Sequence, residues 1–476
     1  METIHFKTVD PVSQELLRGA SQKGLSLNWE RYEKQQPQDG FLRLGLSCPY
    51  GCMQGPCRID PYGRGADKGI CGLDRDGMAA AFLLRLALQG VLETMESCPD
   101  GKCDAEVVWP APLDKTAAAA LSALGGAPLS TREVLASAAM LVRPSATPAA
   151  LVRQALRLSL IGIAVAEQGA PKDPAASRGC RAGYGLLAKE ALRIGVAGKI
   201  PEALVQSLLK AAPEACVSLG DWIPAGESFL PIACTSAEAE TVLSSGRINL
   251  LLAGPGTDPG LTALCGMLKI PVVQTADRPE AAAVLAQART AFEGRGSSSF
   301  TPDASLIGEG RVALGAGAVE KALTAAKIVL LGGADTLFQS LGHLPVELAK
   351  GLIGEEHAVA SWNDAAIWMV KQDLPVGILD AGEGPLAAVR ALAKAGKLSA
   401  LKGICFTGLK ASREFTLALG LAALGIKVAI AVPLPLWGSE TVRTALKETL
   451  AAAGGTLAHF DHPAQADELL ELFIKG

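Results

Sequence analysis

Four cysteines at residues 47–72 have the types and spacing that most directly indicate chemistry. The stretch reads SCPYGCMQGPCRIDPYGRGADKGICG and gives the pattern Cys48-x3-Cys52-x4-Cys57-x13-Cys71. A cubane iron–sulfur cluster needs four thiolates at the corners of a tetrahedron, and the short spacings keep the first three within reach of one another. The many glycines let backbone N–H groups approach sulfur. The pattern therefore predicts a [4Fe–4S] cluster.

Three other interpretations of these cysteines stay open from the residues alone. Structural zinc also uses four cysteines, although its usual pattern is two close pairs held well apart. Two disulfides would suit an exported protein, but METIHFKTVDPVSQELL lacks the basic start and apolar core of a signal peptide. Buried free cysteines have no reason to cluster with this much glycine and proline.

The sequence around the cysteines resembles the N-terminal region of the catalytic subunit of anaerobic nickel–iron carbon monoxide dehydrogenases. The similarity covers about residues 31–85 and includes RYEKQQPQDGFLRLGLSC and GPCRIDPYGRGADKGICG. A second similar segment, residues 425–473, contains GIKVAIAVPLPLWGSETVRTALKETL and HFDHPAQADELLELF. The family's N-terminal loop binds a [4Fe–4S] electron-relay cluster, and the resemblance implies this role for the same four cysteines. The first spacing is three residues here, where the family usually has two.

The resemblance also implies how copies of the chain and redox partners interact. In the family, two further cysteines from each subunit share a cluster across the dimer axis. The matching positions here are Asp39 and Ser47, which are not thiols. We therefore expect no cluster between two copies, and any homo-oligomer to be held by packing alone. Electrons are expected to leave toward a different redox protein, either ferredoxin-like or a subunit of a larger complex.

The family's catalytic residues have no clear counterparts in this sequence. Family members oxidise carbon monoxide at a nickel–iron–sulfur centre held by one histidine and several cysteines at strand ends. The matching histidine turn is residues 253–259, AGPGTDP, and the matching cysteine strand end is residues 407–410, TGLK. Neither segment has the expected ligand, so we expect no carbon monoxide oxidation by the family's mechanism. Cys265 is the thiol of the poorly matching middle that could take a ligand role.

Composition excludes several classes of protein. The 476 residues carry a formal net charge of -4, which argues against nucleic-acid and membrane-surface partners. The length predicts two to four domains. The longest uncharged apolar run in the helical half, residues 158–166, is far shorter than the ~20 residues that span a bilayer. We expect a cytoplasmic protein whose cysteines stay reduced.

The hydrophobic pattern changes from helical to strand-like along the chain. Helical spacing fills DRDGMAAAFLLRLALQGVLETM, whose Phe82–Leu86 face is expected beneath the cysteine loop, and most of residues 130–212, including GYGLLAKEALRIGV. From about residue 245, short apolar runs alternate with helical text, which is typical of parallel sheets covered on both faces. We predict an α/β protein with a helical iron–sulfur domain at 1–240 and two doubly wound, Rossmann-like domains at 241–370 and 371–476.

Other candidate residues give weaker signals. Cys98 and Cys103 share a short turn and could bind a metal or form a redox pair. The glycine loop at residues 315–320, GAGAVE, lacks the third glycine of a dinucleotide fingerprint. The single cysteines are expected to fill small apolar positions: Cys180, Cys216, Cys234, Cys265 and Cys405. His459, Asp461 and His462 fall in a predicted strand-to-loop exit and are expected to be solvated loop residues.

Three functional hypotheses follow from these patterns. The first is a carbon monoxide dehydrogenase-like iron–sulfur protein, an electron-transfer or scaffold subunit of a larger redox complex. The second is an oxidoreductase of the carbon monoxide dehydrogenase type with an unrecognised metal centre. The third is a nucleotide- or flavin-binding module that uses glycine loops at strand ends, where open α/β sheets bind ligands.

Overall fold

The structure, a computed structural model, describes residues 6–35, 40–96, 109, 113–126, 129–142, 144–168, 177–296, 298–314, 319–320, 323–379 and 384–475. The chain forms two compact units, each assembled from segments that are distant in sequence. Unit 1 comprises Met1–Gln36, Asp173–Thr324 and Ala334–Gly384, and unit 2 comprises Pro37–Lys172, Ala325–Gly333 and Pro385–Gly476.

Unit 1 is an α/β unit. Its described helices are α1 Pro11–Gln22, α2 Asn28–Lys34, α8 Glu202–Ala211, α9 Ala239–Ser244, α10 Pro259–Leu268, α11 Ala281–Gly294, α12 His343–Gly354 and α13 Asn363–Lys371. Its described strands are β1 Ser177–Ala182, β2 Ile194–Ala197, β3 Cys216–Leu219, β4 Pro224–Ala225, β5 Ser228–Phe229, β6 Ile232–Cys234, β7 Leu250–Ala253, β8 Val272–Gln274, β9 Gly308–Ala313, β11 Ala358–Trp362 and β12 Gly377–Leu379.

The sheet of unit 1 is mostly parallel and contains a topological switch point. Its strand order is β11-β12-β9-β1-β6-β3-β2-β7-β8. Strand β9 runs antiparallel to β1, with Ser177 opposite Ala313 and Ala182 opposite Gly308. The chain continues from β2 to β3 and β6 on one side and from β7 to β8 on the other. The boundary between β2 and β7 is therefore where a doubly wound sheet offers a crevice at its carboxyl ends.

Strand β7 shows how the two faces of this sheet are buried. All four of its residues are buried, as expected for a parallel strand covered on both sides. Leu250 and Leu252 pack in one core with α8 and α11, whereas Leu251 packs in another with α1, α9 and α10. Alternate side chains of a strand point to opposite faces, so helices cover both faces of the sheet.

Unit 2 combines a helical layer with a smaller parallel sheet. Its described helices are α3 Gly40–Arg43, α4 Arg75–Glu96, α5 Asp114–Ala123, α6 Arg132–Met140, α7 Pro148–Gln168, α14 Gly384–Lys394, α15 Ser412–Ala423, α16 Glu440–Ala452 and α17 Ala466–Lys475. Its strands, which are parallel in the order β15-β14-β13-β10, are β10 Ile328–Gly332, β13 Leu401–Phe406, β14 Lys427–Ile430 and β15 Thr456–His459.

Helices α4, α7 and α15 form the centre of unit 2 and approach one another at glycines. A Cβ atom on Gly90 of α4 would overlap the Thr416 hydroxyl and the Ser412 carbonyl of α15. Gly162 of α7 lies against the same threonine, since a Cβ there would be 3.1 Å from Thr416 Cγ2. Small residues at these crossings let the helix axes come close, which explains the fully buried α4 and α7 faces.

The structure confirms the predicted α/β class, with helices dominating the N-terminal part and parallel sheets following. It corrects the prediction that GYGLLAKEALRIGV is helical. This segment forms a 3-10 turn at Tyr184–Leu187 and then strand β2, and β1 already begins at Ser177. The division into three domains at 1–240, 241–370 and 371–476 stays a prediction. Each of the two units contains segments from all three of these ranges.

Two helices, α4 and α7, are long and apolar enough to cross a membrane by length and composition alone. Their most apolar windows are 56% and 72% buried inside the structure. Such burial is ordinary for the core helices of a soluble protein, so the two segments are weak evidence for membrane spans.

Candidate metal centre

The four predicted cysteine ligands lie in one loop of unit 2 that is folded by backbone hydrogen bonds. The Cys48 N–H donates to the Cys57 carbonyl at 2.8 Å, and the Ile59 N–H donates to the Leu46 carbonyl at 3.0 Å. These bonds pair the strand-like segments on either side of Cys52. The loop then returns to bring Cys71 to the start of α4, where the Gly69 N–H donates to the Leu73 carbonyl at 2.8 Å.

A carboxylate and a small apolar core hold the loop in shape. Asp60 Oδ1 and Oδ2 accept from the N–H groups of Tyr62 and Arg64, both at 2.9 Å, and so fix the intervening turn. Leu46, Ile59 and Met78 are buried together beneath the loop. Helix α4 contributes Met78 to this core, about one turn before the Phe82–Leu86 face that the sequence suggested.

Backbone donors point at two of the four sulfurs. The Gln54 N–H donates to Cys52 Sγ at 3.4 Å, and the Ile70 N–H donates to Cys57 Sγ at 3.5 Å. Gly69 leaves room beside the second sulfur, because a Cβ there would be 3.5 Å from Cys57 Sγ and 3.2 Å from Met78 Cε. Donors aimed at sulfur stabilise negative charge on thiolates, as an iron–sulfur site requires.

The four thiols share one electrostatic neighbourhood. Burial raises the pKa of the Cys48 thiol, the backbone of Tyr50 acts in the opposite direction, and the Cys57, Cys71 and Cys52 thiolates raise that pKa further. Like charges disfavour one another over short distances, so four thiolates here need a compensating positive group. A metal cluster is one such group.

The donor set fits an iron–sulfur cluster in chemistry, although its ligand geometry is not preassembled. The four cysteines are free thiols, with Cys52 and Cys71 exposed and the other two partly buried. No group of three or more His, Cys, Asp or Glu side chains within the described residues is arranged to hold a metal ion. Four thiols on one loop with N–H donors suit a cubane cluster, while the donor types alone also suit zinc.

The two segments that carry the family resemblance contact each other in unit 2. The Gly438 N–H donates to the Leu44 carbonyl at 2.9 Å. The Ser439 hydroxyl donates to Asp76 Oδ1 at 2.6 Å and accepts from the Val442 N–H at 3.0 Å, which caps α16. The C-terminal segment therefore supports the start of α4, directly after the cysteine loop.

Of the two positions expected to lack bridging ligands, only Ser47 is among the described residues. Ser47 pairs with Arg58 in an isolated antiparallel bridge, and its buried hydroxyl has no hydrogen-bond partner in the part of the chain that the structure describes. Asp39 lies outside the described residues. Cys98, Cys103, Gly315 and Gly317 lie outside them as well, so the structure adds nothing to those predictions.

The turn that matches the family's histidine segment follows β7 at the switch point of unit 1. Thr257 Oγ1 donates toward the carbonyl oxygens of Ala197, at 2.9 Å, and Gly254, at 2.8 Å. The Lys199 N–H donates to the Pro255 carbonyl at 2.9 Å. These contacts join the turn to the end of β2 through backbone and hydroxyl groups.

A buried ionic group in unit 1 is a feature that sequence spacing did not reveal. Lys371 Nζ lies 3.2 Å from Glu238 Oε2 and also pairs closely with Asp10 Oδ2, with both partners buried. Burial raises the pKa of Glu238 and Lys371 opposes this shift, while Glu238 and Asp10 raise the pKa of Lys371 against its burial. Cys234, at the end of β6, is fully buried beside this group.

Two aspartates next to this group, Asp335 and Asp364, both accept hydrogen bonds. Asp364 accepts from the Ser236 N–H at 3.0 Å, the Ser236 hydroxyl at 2.6 Å and the Asp335 N–H at 2.9 Å. Burial, with the Asp364 charge nearby, raises the pKa of Asp335 to about 8. Trp368 Nε1 donates to Asp335 Oδ2 at 2.7 Å. These residues come from distant parts of the sequence, so no local motif could identify them.

The single cysteines are core residues, as predicted from their spacing. Burial raises the pKa of Cys180 to about 11 and those of Cys216 and Cys265 to about 12, and it also raises the pKa of Cys405. Deeply buried thiols with such raised pKa values stay protonated at neutral pH and are poor nucleophiles. Cys265 is fully buried within α10 rather than at a strand end.

The two histidines of the C-terminal strand exit, His459 and His462, contact aromatic and acidic side chains. His459 packs edge-on against Trp437 with ring centroids 4.9 Å apart, and burial, with Arg443 nearby, lowers its pKa. His462 is exposed and lies 3.8 Å from Asp461 and 3.7 Å from Glu468. His462 agrees with the predicted solvated loop position, whereas His459 ends strand β15 and is partly buried against Trp437, so the prediction is wrong for His459.

Sequence comparisons match a short part of the chain. No protein-family model matches it. The chain is 48% identical over 89 residues to carbon monoxide dehydrogenase 1 of Methanosarcina mazei, a match that covers 19% of this chain and 14% of the relative. It is 47% identical over 81 residues to the carbon monoxide dehydrogenase of Rhodospirillum rubrum, covering 17% and 12% respectively. The matched stretch is thus a small fraction of the relatives' length.

Structural comparisons extend over nearly the whole chain. Carbon monoxide dehydrogenase IV from Carboxydothermus hydrogenoformans superposes with a TM-score of 0.77 at 19% identity, over 98% of both chains. A nickel-free carbon monoxide dehydrogenase from Thermococcus sp. AM4 gives 0.76 at 18% identity, over 99% of this chain and 98% of the other. At such identities the superpositions establish the fold. Taken with the sequence matches to carbon monoxide dehydrogenases, they confirm the family resemblance: this chain is a carbon monoxide dehydrogenase-like protein.

Proposed function

We propose that this chain is an iron–sulfur electron-transfer subunit of a carbon monoxide dehydrogenase-like redox complex. Its cofactor is a [4Fe–4S] cluster held by Cys48, Cys52, Cys57 and Cys71. The observation that carries the proposal is the single loop that contains these four thiols and directs N–H groups at two of the sulfurs. When bound, the cluster supplies one-electron oxidation and reduction.

The residues around the loop tune and shield such a cofactor. The N–H groups of Gln54 and Ile70 stabilise negative charge on sulfur, which favours a reducible site. Leu46, Ile59 and Met78 exclude water from the inner side of the loop. A site that is shielded on one side and open on the other suits exchange of electrons with a docked protein.

The outer side of the loop supports a redox protein partner. Three large side chains of the loop are exposed, Met53 at 98%, Tyr62 at 75% and Ile70 at 69% of their full surface. Exposed apolar and aromatic side chains beside a redox centre are typical of transient docking surfaces. The partner is a ferredoxin-like protein or another subunit of the complex, in a cytoplasmic setting where thiols stay reduced.

Electron exchange with a second copy through a shared cluster is not part of this proposal. Ser47 offers a hydroxyl, which is not a ligand for an iron–sulfur cluster of this kind, and Asp39 offers a carboxylate. A homo-oligomer would therefore be held by packing alone.

Redox titration of anaerobically purified protein tests the electron-transfer role. We expect a reversible one-electron transition per chain, seen by electron paramagnetic resonance, and oxidation of the reduced protein by added ferredoxin. Met53→Glu should slow transfer to ferredoxin and leave the resonance unchanged, because it alters the exposed surface alone. A protein without any reversible transition, or one reduced only irreversibly, would refute the role.

A further inference from the structure

Unit 1 contains a cavity of about 800 Å³ at the edge of the sheet where strands β7 and β8 have their amino ends. It opens where β7 and β8 begin, beside α1, and is lined by residues that precede those strands, such as Ile248, Asn249 and Ile270. Leu16, Leu243 and Phe300 add to its apolar wall. Small-molecule sites commonly have volumes of about 300–1,000 Å³ and combine apolar walls with a few polar groups.

Asn249 is a buried polar residue of the cavity lining, and only the oxygen of its side-chain amide has a hydrogen-bond partner among the described residues. Its side chain is 3% exposed, and its Oδ1 accepts from the Arg193 N–H at 2.7 Å. Its Nδ2 has no hydrogen-bond partner among the described residues. A buried donor without an acceptor is costly, so this amide is suited to an acceptor atom supplied from the cavity.

Two guanidinium groups beside Asn249 share one carboxylate. Arg247 is 3% and Arg295 is 17% exposed, and both pair with Glu190, at 3.8 Å and 3.3 Å. Arg247 also donates twice to the Phe300 carbonyl, once from Nε at 2.8 Å, and Arg295 Nη1 donates to Gly246. Arg247 Nη1 and Arg295 Nε still have no hydrogen-bond partner within the described part of the chain. Positive charge and free donors thus exceed the acceptors present.

The rim of the cavity is also mainly positively charged. Arg18 and Lys23 from α1 and its end, together with Lys269, line the opening, and Glu15 is the acidic residue among them. Guanidinium groups bind phosphate oxygens through paired hydrogen bonds, and ammonium groups add a point charge. The lining thus combines apolar side chains, including Phe300, with basic donors, which suits a molecule with a flat ring and a phosphate chain.

We propose that this cavity binds a nucleotide, with its phosphates toward Arg295 and Asn249 and its base against the apolar wall. The site is separate from the cysteine loop, which belongs to unit 2. It also lies at the amino ends of β7 and β8 rather than at the carboxyl ends, where the sequence hypothesis placed nucleotide binding.

Isothermal titration of the full chain with ADP tests this site. We expect saturable binding at one site per chain, weaker binding of adenosine and competition by inorganic pyrophosphate. Asn249→Asp keeps the Oδ1 acceptor for Arg193 but replaces the free donor with a charged oxygen, so ADP affinity should fall on the order of tenfold or more. Arg18→Gln with Lys23→Gln, on the exposed rim, should weaken ADP several-fold.

The matched control is Arg153→Gln with Lys447→Gln, which removes the same two charges from exposed positions of unit 2 and should leave ADP binding unchanged. Circular dichroism shows whether Asn249→Asp is folded, and the rim variant tests the site independently if it is not. The proposal is overturned if ADP does not bind at concentrations of about 1 mM, if adenosine binds as tightly as ADP, or if the rim and control variants behave alike.

Discussion

Hydrogen bonds from backbone N–H groups to Cys52 and Cys57 are the residue-scale feature that bears most on the proposed electron transfer. They are made by Gln54 and Ile70, whose side chains play no part in them. A cysteine-to-serine change therefore removes a ligand, whereas a change at residue 54 or 70 leaves the donor in place. Cluster binding should depend on the four thiols and on the loop's backbone path, which Asp60 and the glycines fix.

Asp335 gives a pH-dependent prediction at the same scale. Its raised pKa, about 8, means that the folded state holds the proton more tightly than the unfolded chain, where the pKa is near 4. The stability from this group is complete below about pH 4 and is lost as the pH rises toward 8. Asp335→Asn keeps an oxygen for Trp368 and cannot ionise. In this variant, the unfolding free energy should decrease less between pH 5 and pH 8 than in the unaltered chain, by on the order of 1–3 kcal/mol.

Urea unfolding of the anaerobic protein at pH 5 and pH 8 measures this difference. Asp277→Asn, an exposed position, serves as the control and should follow the unaltered chain at both pH values. Equal pH dependence in all three proteins would show that Asp335 is not protonated in the folded state.

What the sequence could predict at this scale depended on distance along the chain. The cysteine loop lies within 25 residues, so its spacing alone indicated shared ligands. Ser236 and Asp364, by contrast, are 128 residues apart and meet through folding. The orphaned amide of Asn249 likewise depends on what surrounds it in three dimensions, and no spacing rule describes that.

At the scale of elements, the crossing of α4 with α15 depends on Gly90. A Cβ at this position would overlap Thr416 Oγ1 and the Ser412 carbonyl, one of which is backbone and cannot rotate away. Gly90→Ala should therefore destabilise the protein by about 1–3 kcal/mol, the usual cost of overpacking, despite alanine's better helix propensity. The expected readout is a lower thermal unfolding midpoint.

Gly266 in α10 is the matched control for that substitution. A Cβ there meets nothing within 4 Å, so Gly266→Ala should raise stability by about 0.4–1 kcal/mol through the unfolded chain. If both alanines stabilise the protein alike, then α4 and α15 are not as close as described.

Elements with strong helical periodicity were predicted well, and so were the short apolar strands after residue 245, whereas strand β2 was not. The run from Arg75 to Glu96 forms one helix, α4, as its spacing indicated. Strand β2 is four residues long and buried throughout, so its apolar run carries no alternation that separates it from a helix segment. The preceding leucines and alanines favour helix intrinsically, and packing in the sheet decided otherwise.

At the scale of the whole molecule, the chain combines a fold shared over almost its full length with a sequence match of 89 and 81 residues to the two relatives compared. The switch-point turn at residues 253–259, which the family resemblance aligns with a histidine turn, follows β7 and is held by the Thr257 contacts. Sequence periodicity indicated parallel sheets, while the assembly of each unit from distant segments depends on long-range packing that periodicity does not contain.

We expect this chain not to oxidise carbon monoxide, because the segments that the resemblance aligns with the family's nickel–iron ligands lack ligand side chains. Nickel-reconstituted protein should not reduce a viologen dye in the presence of carbon monoxide, because the turn after β7 has no histidine and the end of β13 has Leu409 where a thiolate is needed. Turnover that is lost in Cys265→Ala would contradict this expectation. It would mean that α10 opens to release a thiol that is buried in the present fold.

Iron and sulfide analysis of anaerobically purified protein tests whether the cysteine loop holds a [4Fe–4S] cluster. We expect about four irons and four sulfides per chain, with broad visible absorbance, as a cubane cluster on four thiolates requires. Cys57→Ala should lose both, while Cys216→Ala, which removes a buried thiol of β3, should keep them. Zinc in place of iron in oxygen-protected protein, or full iron retention in Cys57→Ala, would contradict it.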